Sequence, residues 1–157
     1  MNVLFVCTGN TCRSPMAEHL FRKMAAEAGV ADVHVSSAGT SPAMHLDFPD
    51  EARATLKAEG VDGVQHAPRR LDQKNVDEAD LILTMEAHHK AALVSCFPQA
   101  RAKTHVINAY AGLGSQGIPD PYGHSVRVYE TVLAQIKTAL EKIISKIQEQ
   151  PKPSEEE

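Results

Sequence analysis

The chain has 157 residues, of which 43% are hydrophobic, so it is long enough to form one domain with a buried core. Its formal net charge of −4 disfavours nucleic acid as the main partner, because binding to a phosphate backbone needs a basic face. The amino terminus leads straight into a strand-like apolar run, so we expect neither a secretory signal nor a membrane span. Three cysteines, two of them in one short loop, do not make a disulfide framework and favour the reducing cytoplasm.

Hydrophobic periodicity alternates along the chain between strand-like and helix-like segments, which indicates an α/β fold. We predict a single-domain three-layer sandwich, with a central four-stranded parallel sheet and helices on both faces. In chain order, the predicted elements are a strand at 2–6, a helix at 15–28, a strand at 33–36, a helix at 49–59, a strand at 81–83, a helix at 87–96, a strand at 104–107 and a helix at 125–148.

The last predicted helix has one buried stripe, because apolar side chains recur at three- and four-residue spacing from Tyr129 to Ile147. A loop rich in glycine and proline precedes it at residues 111–124. Residues 149–157 are polar, contain proline and end in three glutamates. We therefore predict one domain over residues 1–148 and a disordered acidic tail over 149–157.

The segment from Cys7 to Ser14 points most directly to chemistry. It follows an apolar strand and precedes a helix that starts near Pro15. Backbone N–H groups of such a loop can form a nest for an anion, and the helix dipole adds partial positive charge. A cysteine in that field is a candidate nucleophile, although a cysteine after a strand is by itself most often a core residue. Arg13 suits phosphate, because its planar guanidinium matches phosphate oxygens.

The segment from Val6 to Glu18, VCTGNTCRSPMAE, closely resembles the signature of the low-molecular-weight protein tyrosine phosphatases. A later segment, Asp120-Pro121-Tyr122-Gly123, looks like that family's general-acid loop, and the resemblance covers residues 1–148. It implies a metal-independent and cofactor-free phosphatase, in which Cys7 attacks phosphorus and forms a phosphocysteine intermediate. Arg13 and the loop N–H groups would stabilise charge on the equatorial oxygens. The phosphate-binding loop so implied contains Thr8, Gly9, Asn10, Thr11, Cys12 and Ser14.

Other polar residues would support this loop. The Ser14 hydroxyl can donate to the Cys7 thiolate and help to eject it, and the alternative is a simple helix N-cap. Asn10 tolerates left-handed backbone geometry and would hold the turn in place. In the resembled family this asparagine is supported by a serine and a histidine, and Ser37 and His66 occupy the matching places.

Asp120 is the predicted general acid. A leaving group expelled from phosphorus needs a proton, and Asp120 lies in a loop directly before a proline. An Asp-Pro pair alone is most often a turn, so this role comes from the resemblance. Tyr122 would then form one wall of the pocket.

Cys12 lies five residues after Cys7 in the same loop. Our hypothesis is that oxidation forms a reversible Cys7–Cys12 disulfide, which protects the nucleophile from irreversible oxidation. Cys96 is predicted to be a structural thiol at a helix end.

We expect no metal at this site, because no cluster in the sequence has convincing ligand spacing. Adjacent His88 and His89 would point about 100° apart on a helix, and we interpret both as surface histidines. Arg69 and Arg70 are interpreted as a solvated surface pair.

Thr11 and Tyr122 bear on the choice of substrate. Tyrosine phosphatases of this type usually carry a bulky aliphatic residue where this chain has Thr11, and many have two aromatics where it has only Tyr122. Both features are similar to bacterial protein arginine phosphatases, although His124 stands where that subgroup often has a second glycine. A threonine hydroxyl can place an acceptor or a water near a guanidinium. We therefore favour phosphoarginine in proteins over phosphotyrosine.

Two other function classes stay open. An arsenate reductase shares this fold and loop but needs resolving cysteines, and Cys96 alone fits that poorly. A binding module would hold phosphoproteins without hydrolysis, against which the intact Cys7, Arg13 and Asp120 argue. We expect a phosphorylated protein as substrate, a monomer in the cytoplasm, and neither nucleic acid nor a membrane as a partner.

Overall fold

The four strands form one parallel sheet, in a computed structural model that describes residues 1–150. The strands are β1 Asn2–Cys7, β2 His34–Gly39, β3 Leu81–Thr84 and β4 Thr104–Val106. Their order across the sheet is β2–β1–β3–β4. The predicted four-stranded parallel sheet is confirmed, although β2 begins and ends later than predicted.

Six helices connect or follow these strands within residues 1–150, and a short 3₁₀ helix covers Pro98–Lys103. The helices are α1 Arg13–Glu27, α2 Asp50–Ala58, α3 Gln73–Glu78, α4 Ala87–Cys96, α5 Ile107–Tyr110 and α6 Val126–Glu149. The bounds of α4 agree with the prediction, whereas α1 starts two residues earlier than predicted, at Arg13. The short α3 and α5 were not predicted, because four to six residues are too few to show a helical period.

Strand β1 is buried on both faces of the sheet. Val3 and Phe5 belong to a large core with α1 and α6, whereas Leu4 and Val6 belong to a smaller core with residues of α3 and α4. Successive side chains of a strand point to opposite faces, so one apolar run fills both cores. This arrangement confirms the predicted three-layer sandwich.

Helix α6 supplies one side of the large core and packs against α1 and α2. Its fully buried stripe runs from Tyr129 to Ile144, and Ile147, the last residue of the predicted stripe, is only partly buried. The helix includes Glu149, the first residue of the segment predicted as a disordered tail, so the prediction is wrong at that residue. Residues 151–157 of the tail lie outside the described residues. Within residues 1–150, no helix has the length and apolarity needed to cross a bilayer.

The carboxyl ends of the strands meet at one edge of the sheet, as they must when all strands are parallel. The loop after β1 therefore lies beside the ends of β2 and β3. The approach of β2 is close, since a Cβ atom on Gly39 would stand 2.5 Å from the backbone oxygen of Thr8. Glycine at this position lets the two chain segments touch.

Candidate active site

A cavity of about 230 Å³ opens at the carboxyl edge of the sheet. The loop after β1 forms its floor, and two other loops form its walls. It brings together most of the residues singled out from the sequence. Its lining consists of Cys7, Thr8, Gly9, Thr11, Cys12, Arg13, Ser41, Ala43, Leu46, Asp120 and Tyr122.

Cys7 ends β1 and is almost fully buried, with its Sγ atom 2.9 Å from the Ser14 hydroxyl oxygen. This contact was predicted. Ser14 lies inside α1, whose N-cap position is Cys12, so the interpretation of Ser14 as a simple N-cap is wrong. A thiolate at this position would lie against the first turn of α1, where unpaired N–H groups and the helix dipole favour negative charge.

Asn10 has a φ of 51°, the left-handed conformation expected for it. Its Nδ2 donates to Ser14 Oγ at 2.9 Å and to Ser37 Oγ at 3.0 Å. Its Oδ1 lies 3.0 Å from His66 Nε2 and accepts from the backbone N–H of Arg69 at 2.8 Å. Ser37 and His66 therefore lie in contact with Asn10, where the family resemblance places its supporting residues.

These bonds fix which groups near Cys7 donate hydrogen bonds and which accept them. The Ser14 oxygen accepts from Asn10, which leaves its own proton for Cys7 Sγ. Ser37 likewise accepts from Asn10 and donates at 2.8 Å to Glu18, a carboxylate that is only 8% exposed. Sequence reasoning missed this role of Glu18, because its partner Ser37 lies on another element.

Arg13 is 3% exposed and held by two acceptors. Its Nη1 donates to Glu86 Oε2 at 2.7 Å and to the backbone oxygen of Ile118 at 2.8 Å, while Nη2 is 4.0 Å from Asp120 Oδ2. Burial raises the pKa of Glu86, but the hydrogen bond and charge of Arg13 outweigh it, so the net pKa lies below its ordinary value. Sequence analysis did not find Glu86, which fixes the guanidinium at the mouth of the loop.

Asp120 lies across the cavity from the loop, with more than half of its side chain exposed. Its Oδ1 accepts from the backbone N–H of Tyr122 at 3.0 Å. Tyr122 lines the cavity and is 48% exposed, as expected of a pocket wall. The segment is anchored just beyond the end of β3 by the Ile118 N–H, which donates to Met85 O at 2.9 Å.

Cys12 is buried, and its Sγ lies 3.3 Å from the hydroxyl oxygen of Tyr129 in α6. Burial raises the pKa of the Cys12 thiol to about 12. Cys12 is therefore a neutral thiol at ordinary pH. Cys96 is the last residue of α4, as predicted, but it is exposed, which does not support a structural role for its thiol.

His89 corrects the prediction of two surface histidines. His88 is exposed, but His89 is fully buried at the start of α4, with Nε2 2.8 Å from Thr8 Oγ1. Its Nδ1 accepts from the backbone N–H of Glu86 at 3.0 Å. Glu86, His88 and His89 offer donor atoms within 4.8 Å of one another, but both ring nitrogens of His89 are already hydrogen-bonded, so the cluster does not suit a metal.

Arg69 and Arg70 are exposed, as predicted. Arg69 is nevertheless not a purely solvated residue, because its Nη2 donates to the backbone oxygen of Ser37 at 3.1 Å and its backbone N–H donates to Asn10 Oδ1. A sequence pattern does not show either bond, because each has a main-chain group as donor or acceptor.

Comparison with known proteins agrees with this geometry. The family model described as low molecular weight phosphotyrosine protein phosphatase matches residues 2–153. A protein-arginine-phosphatase of Bacillus subtilis is 35% identical over 153 residues, which cover 97% of this chain and 97% of that protein. The chain belongs to the low-molecular-weight phosphotyrosine protein phosphatase family.

Solved structures of this family share the fold. The low molecular weight protein tyrosine phosphatase of T. tengcongensis is 38% identical, with a TM-score of 0.87 over 93% of this chain and 99% of that one. A Cys-to-Ser mutant of the YwlE arginine phosphatase, with a phosphorylated active-site serine, is 30% identical, with a TM-score of 0.90 over 95% of this chain and 97% of that one. The fold predicted from the sequence is thereby confirmed in solved relatives.

Proposed function

We propose that this protein is a cysteine-dependent protein phosphatase that removes phosphate from phosphoarginine in proteins. One observation carries the proposal: the Cys7 thiol, the Arg13 guanidinium and the Asp120 carboxyl group line the same cavity of about 230 Å³. The phosphorylated active-site serine in the mutant YwlE structure supports phosphoryl transfer to the residue at the cysteine position.

In the first step, Cys7 Sγ attacks phosphorus and the bond from phosphorus to the guanidinium nitrogen breaks. Asp120 donates its proton to that nitrogen, so the arginine leaves as a stable cation. Arg13 and the backbone N–H groups of the loop hold the equatorial oxygens, where electrostatic stabilisation contributes most. The product is a phosphocysteine on Cys7.

In the second step, water attacks the phosphocysteine and the phosphorus–sulfur bond breaks. Asp120, now a carboxylate, accepts the proton from that water. The leaving group is the Cys7 thiolate, which the Ser14 hydroxyl stabilises from 2.9 Å. Inorganic phosphate then departs, and the site is left with a Cys7 thiolate and a protonated Asp120, the states in which the first step began.

Thr11 supports the preference for phosphoarginine. It is 6% exposed, lines the cavity, and donates its hydroxyl proton to Gly9 O at 3.2 Å. Because the proton is committed to Gly9, the Thr11 oxygen faces the substrate as an acceptor, which suits a guanidinium N–H. The similarity to the Bacillus arginine phosphatase points the same way.

Phosphotyrosine is the second candidate substrate. The exposed ring of Tyr122 offers a surface on which a phenyl group can stack. The similarity to the T. tengcongensis tyrosine phosphatase also supports it.

A comparison of kcat/KM on matched phosphoarginine and phosphotyrosine peptides separates these candidates, with Cys7→Ser as the inactive control. We expect higher kcat/KM for phosphoarginine, and Thr11→Ile should shift the ratio toward phosphotyrosine by about tenfold, since it removes one polar partner. A preference of the wild type for phosphotyrosine would contradict the choice of substrate. Binding of both peptides without hydrolysis would instead support a binding module, and thioredoxin-dependent turnover of arsenate would support a reductase.

We further propose a cytoplasmic monomer that acts on phosphorylated proteins, with no nucleic-acid or membrane partner.

We also propose redox control of the nucleophile: peroxide oxidises Cys7 to a sulfenic acid, and the Cys12 thiol then displaces water to form a disulfide. Mild peroxide should lower the intact mass by two protons, and Cys12→Ser should abolish that loss. Accumulation of a Cys7 sulfinic acid in the wild type, without the two-proton loss, would contradict it.

A further inference from the structure

Thr8, directly after Cys7, is an exposed residue that lines the cavity. Its oxygen lies 2.8 Å from Nε2 of His89, which is fully buried beside the phosphate-binding loop. No other hydrogen bond of Thr8 Oγ1 occurs among residues 1–150. If Thr8 donates to His89, the hydroxyl proton is used in that bond. If Thr8 accepts from His89, the hydroxyl proton is free to point into the cavity.

The backbone of α4 sets that direction. Nδ1 of His89 lies 3.0 Å from the backbone N–H of Glu86, which can only donate. Nδ1 must therefore be the accepting nitrogen, and a neutral ring then carries its proton on Nε2. Nε2–H donates to Thr8 Oγ1, which accepts.

The surroundings keep the ring neutral. Burial, followed by the charges of Arg13 and His88, lowers the pKa of His89 to about 4, against opposite effects of Glu86 and Asp120. The Nε2–H form therefore prevails at neutral pH.

We propose that His89 is a positioning residue, which orients the Thr8 hydroxyl so that its proton points into the cavity as a hydrogen-bond donor to a phosphoryl oxygen. This inference rests on the proposed function, because it assigns one more donor to the same phosphate site. The donor adds to the backbone N–H groups of the loop. Little reorganisation is needed during the reaction, because the hydrogen bond from His89 already fixes the orientation of the Thr8 hydroxyl group.

Two substitutions of His89 separate this role from support of the helix. Asparagine places an acceptor near Nδ1 but cannot reach Thr8, and Asn75 already accepts from the N–H of Asp72 at 3.0 Å in the same position of α3. Glutamine places a donor near Nε2 and can still reach Thr8. His89→Asn thus keeps the helix cap and loses the Thr8 bond, whereas His89→Gln keeps the Thr8 bond.

The experiment measures kcat/KM on the preferred phosphopeptide, and the Kd of inorganic phosphate by calorimetry. We expect Thr8→Val and His89→Asn each to lower kcat/KM and to weaken phosphate binding about tenfold, the effect of one lost hydrogen bond. Thr8→Ser and His89→Gln should stay within about threefold of wild type, and the double variant Thr8→Val/His89→Asn should lose no more than about tenfold. His34→Asn, at an exposed position at the start of β2, is the matched control and should behave as wild type.

Equal losses in His89→Gln and His89→Asn, or a Thr8→Val variant as active as wild type, would overturn the inference. If the His89 variants do not fold, the Thr8→Val and Thr8→Ser pair gives the answer alone, because Thr8 is exposed. If wild type binds phosphate but hydrolyses no phosphopeptide, the proposed function fails, and the phosphate Kd values still decide the role of Thr8. A wild type that does not bind phosphate overturns both.

Discussion

At the scale of single residues, the site depends on the direction of hydrogen bonds as much as on their presence. Asn10 donates to Ser14 and Ser37, so the proton of Ser14 is available only to Cys7. Asn10, whose backbone is in the left-handed conformation, therefore determines which groups around the Cys7 sulfur donate and which accept hydrogen bonds. Asn10→Asp would place an acceptor where Asn10 has the Nδ2 donor, and Ser14 would then donate to residue 10 instead of to Cys7.

Replacement of Ser14 by alanine should slow hydrolysis of the phosphocysteine more than its formation. Without the hydroxyl donor the departing thiolate is less stable, and we expect kcat to fall about tenfold, the effect of one hydrogen bond to a charged group. A pre-steady-state burst of the leaving group, followed by slow turnover, would reveal the accumulated intermediate. A Ser14→Ala variant with unchanged kcat would contradict this role, and Ser14→Thr, which keeps the hydroxyl, is the control.

At the scale of elements, the ends of β1, β2 and β3 bring the site together. The loop after β1 touches Gly39 at the end of β2, and it receives Glu86 and His89 from the segment after β3. Each of these contacts needs the correct register of two parallel strands. A change at one strand end should therefore affect both stability and phosphate binding.

Gly39→Ala tests this dependence. The new Cβ would stand 2.5 Å from Thr8 O and 3.0 Å from Asn10 N, so the loop must shift. We expect the free energy of unfolding to fall by about 1–3 kcal/mol and phosphate affinity to fall with it. Urea unfolding and phosphate titration measure the two effects. Ser36→Ala, on the same strand, should change neither, and a Gly39→Ala variant with wild-type phosphate affinity would show that the loop tolerates the shift.

At the scale of the whole molecule, one buried and two partly buried histidines make the fold sensitive to acid. Burial is the first cause that lowers the pKa of His19, His66 and His89, and that of His89 falls to about 4. A histidine with a depressed pKa in the folded state stabilises the fold above its unfolded pKa. That stability is lost as the pH falls toward the folded pKa.

We therefore expect the free energy of unfolding to decrease between pH 7 and pH 5. For His89 alone the decrease is about 2 kcal/mol, since its unfolded pKa is about 6.5. The groups that face His89 and shift its titration are Arg13, His88, Glu86 and Asp120. Urea unfolding at both pH values measures the effect, and His89→Gln should lose less stability than wild type over this interval. An equal loss in the variant would show that His89 does not contribute.

Much of the fold could be predicted because its signals are local. The apolar run of β1 and the periodicity of α6 each lie within one continuous segment, and both predictions were confirmed. The contacts of Asn10 with Ser37 and His66 also matched prediction, since the family resemblance supplied partners that spacing alone does not. The errors fall where a short or isolated segment carries no period, as in α3 and α5.

The sequence by itself determined the loop from Cys7 to Ser14, because those residues are neighbours in the chain and a strand, a turn and a helix start are local structures. Only the tertiary structure decided which side chains hold that loop. Glu86 lies 73 residues from Arg13, and His89 lies 81 residues from Thr8, so no local pattern links them. The parallel sheet brings the ends of β1 and β3 to one edge, and this proximity turned an expected surface histidine into a buried neighbour of the phosphate-binding loop.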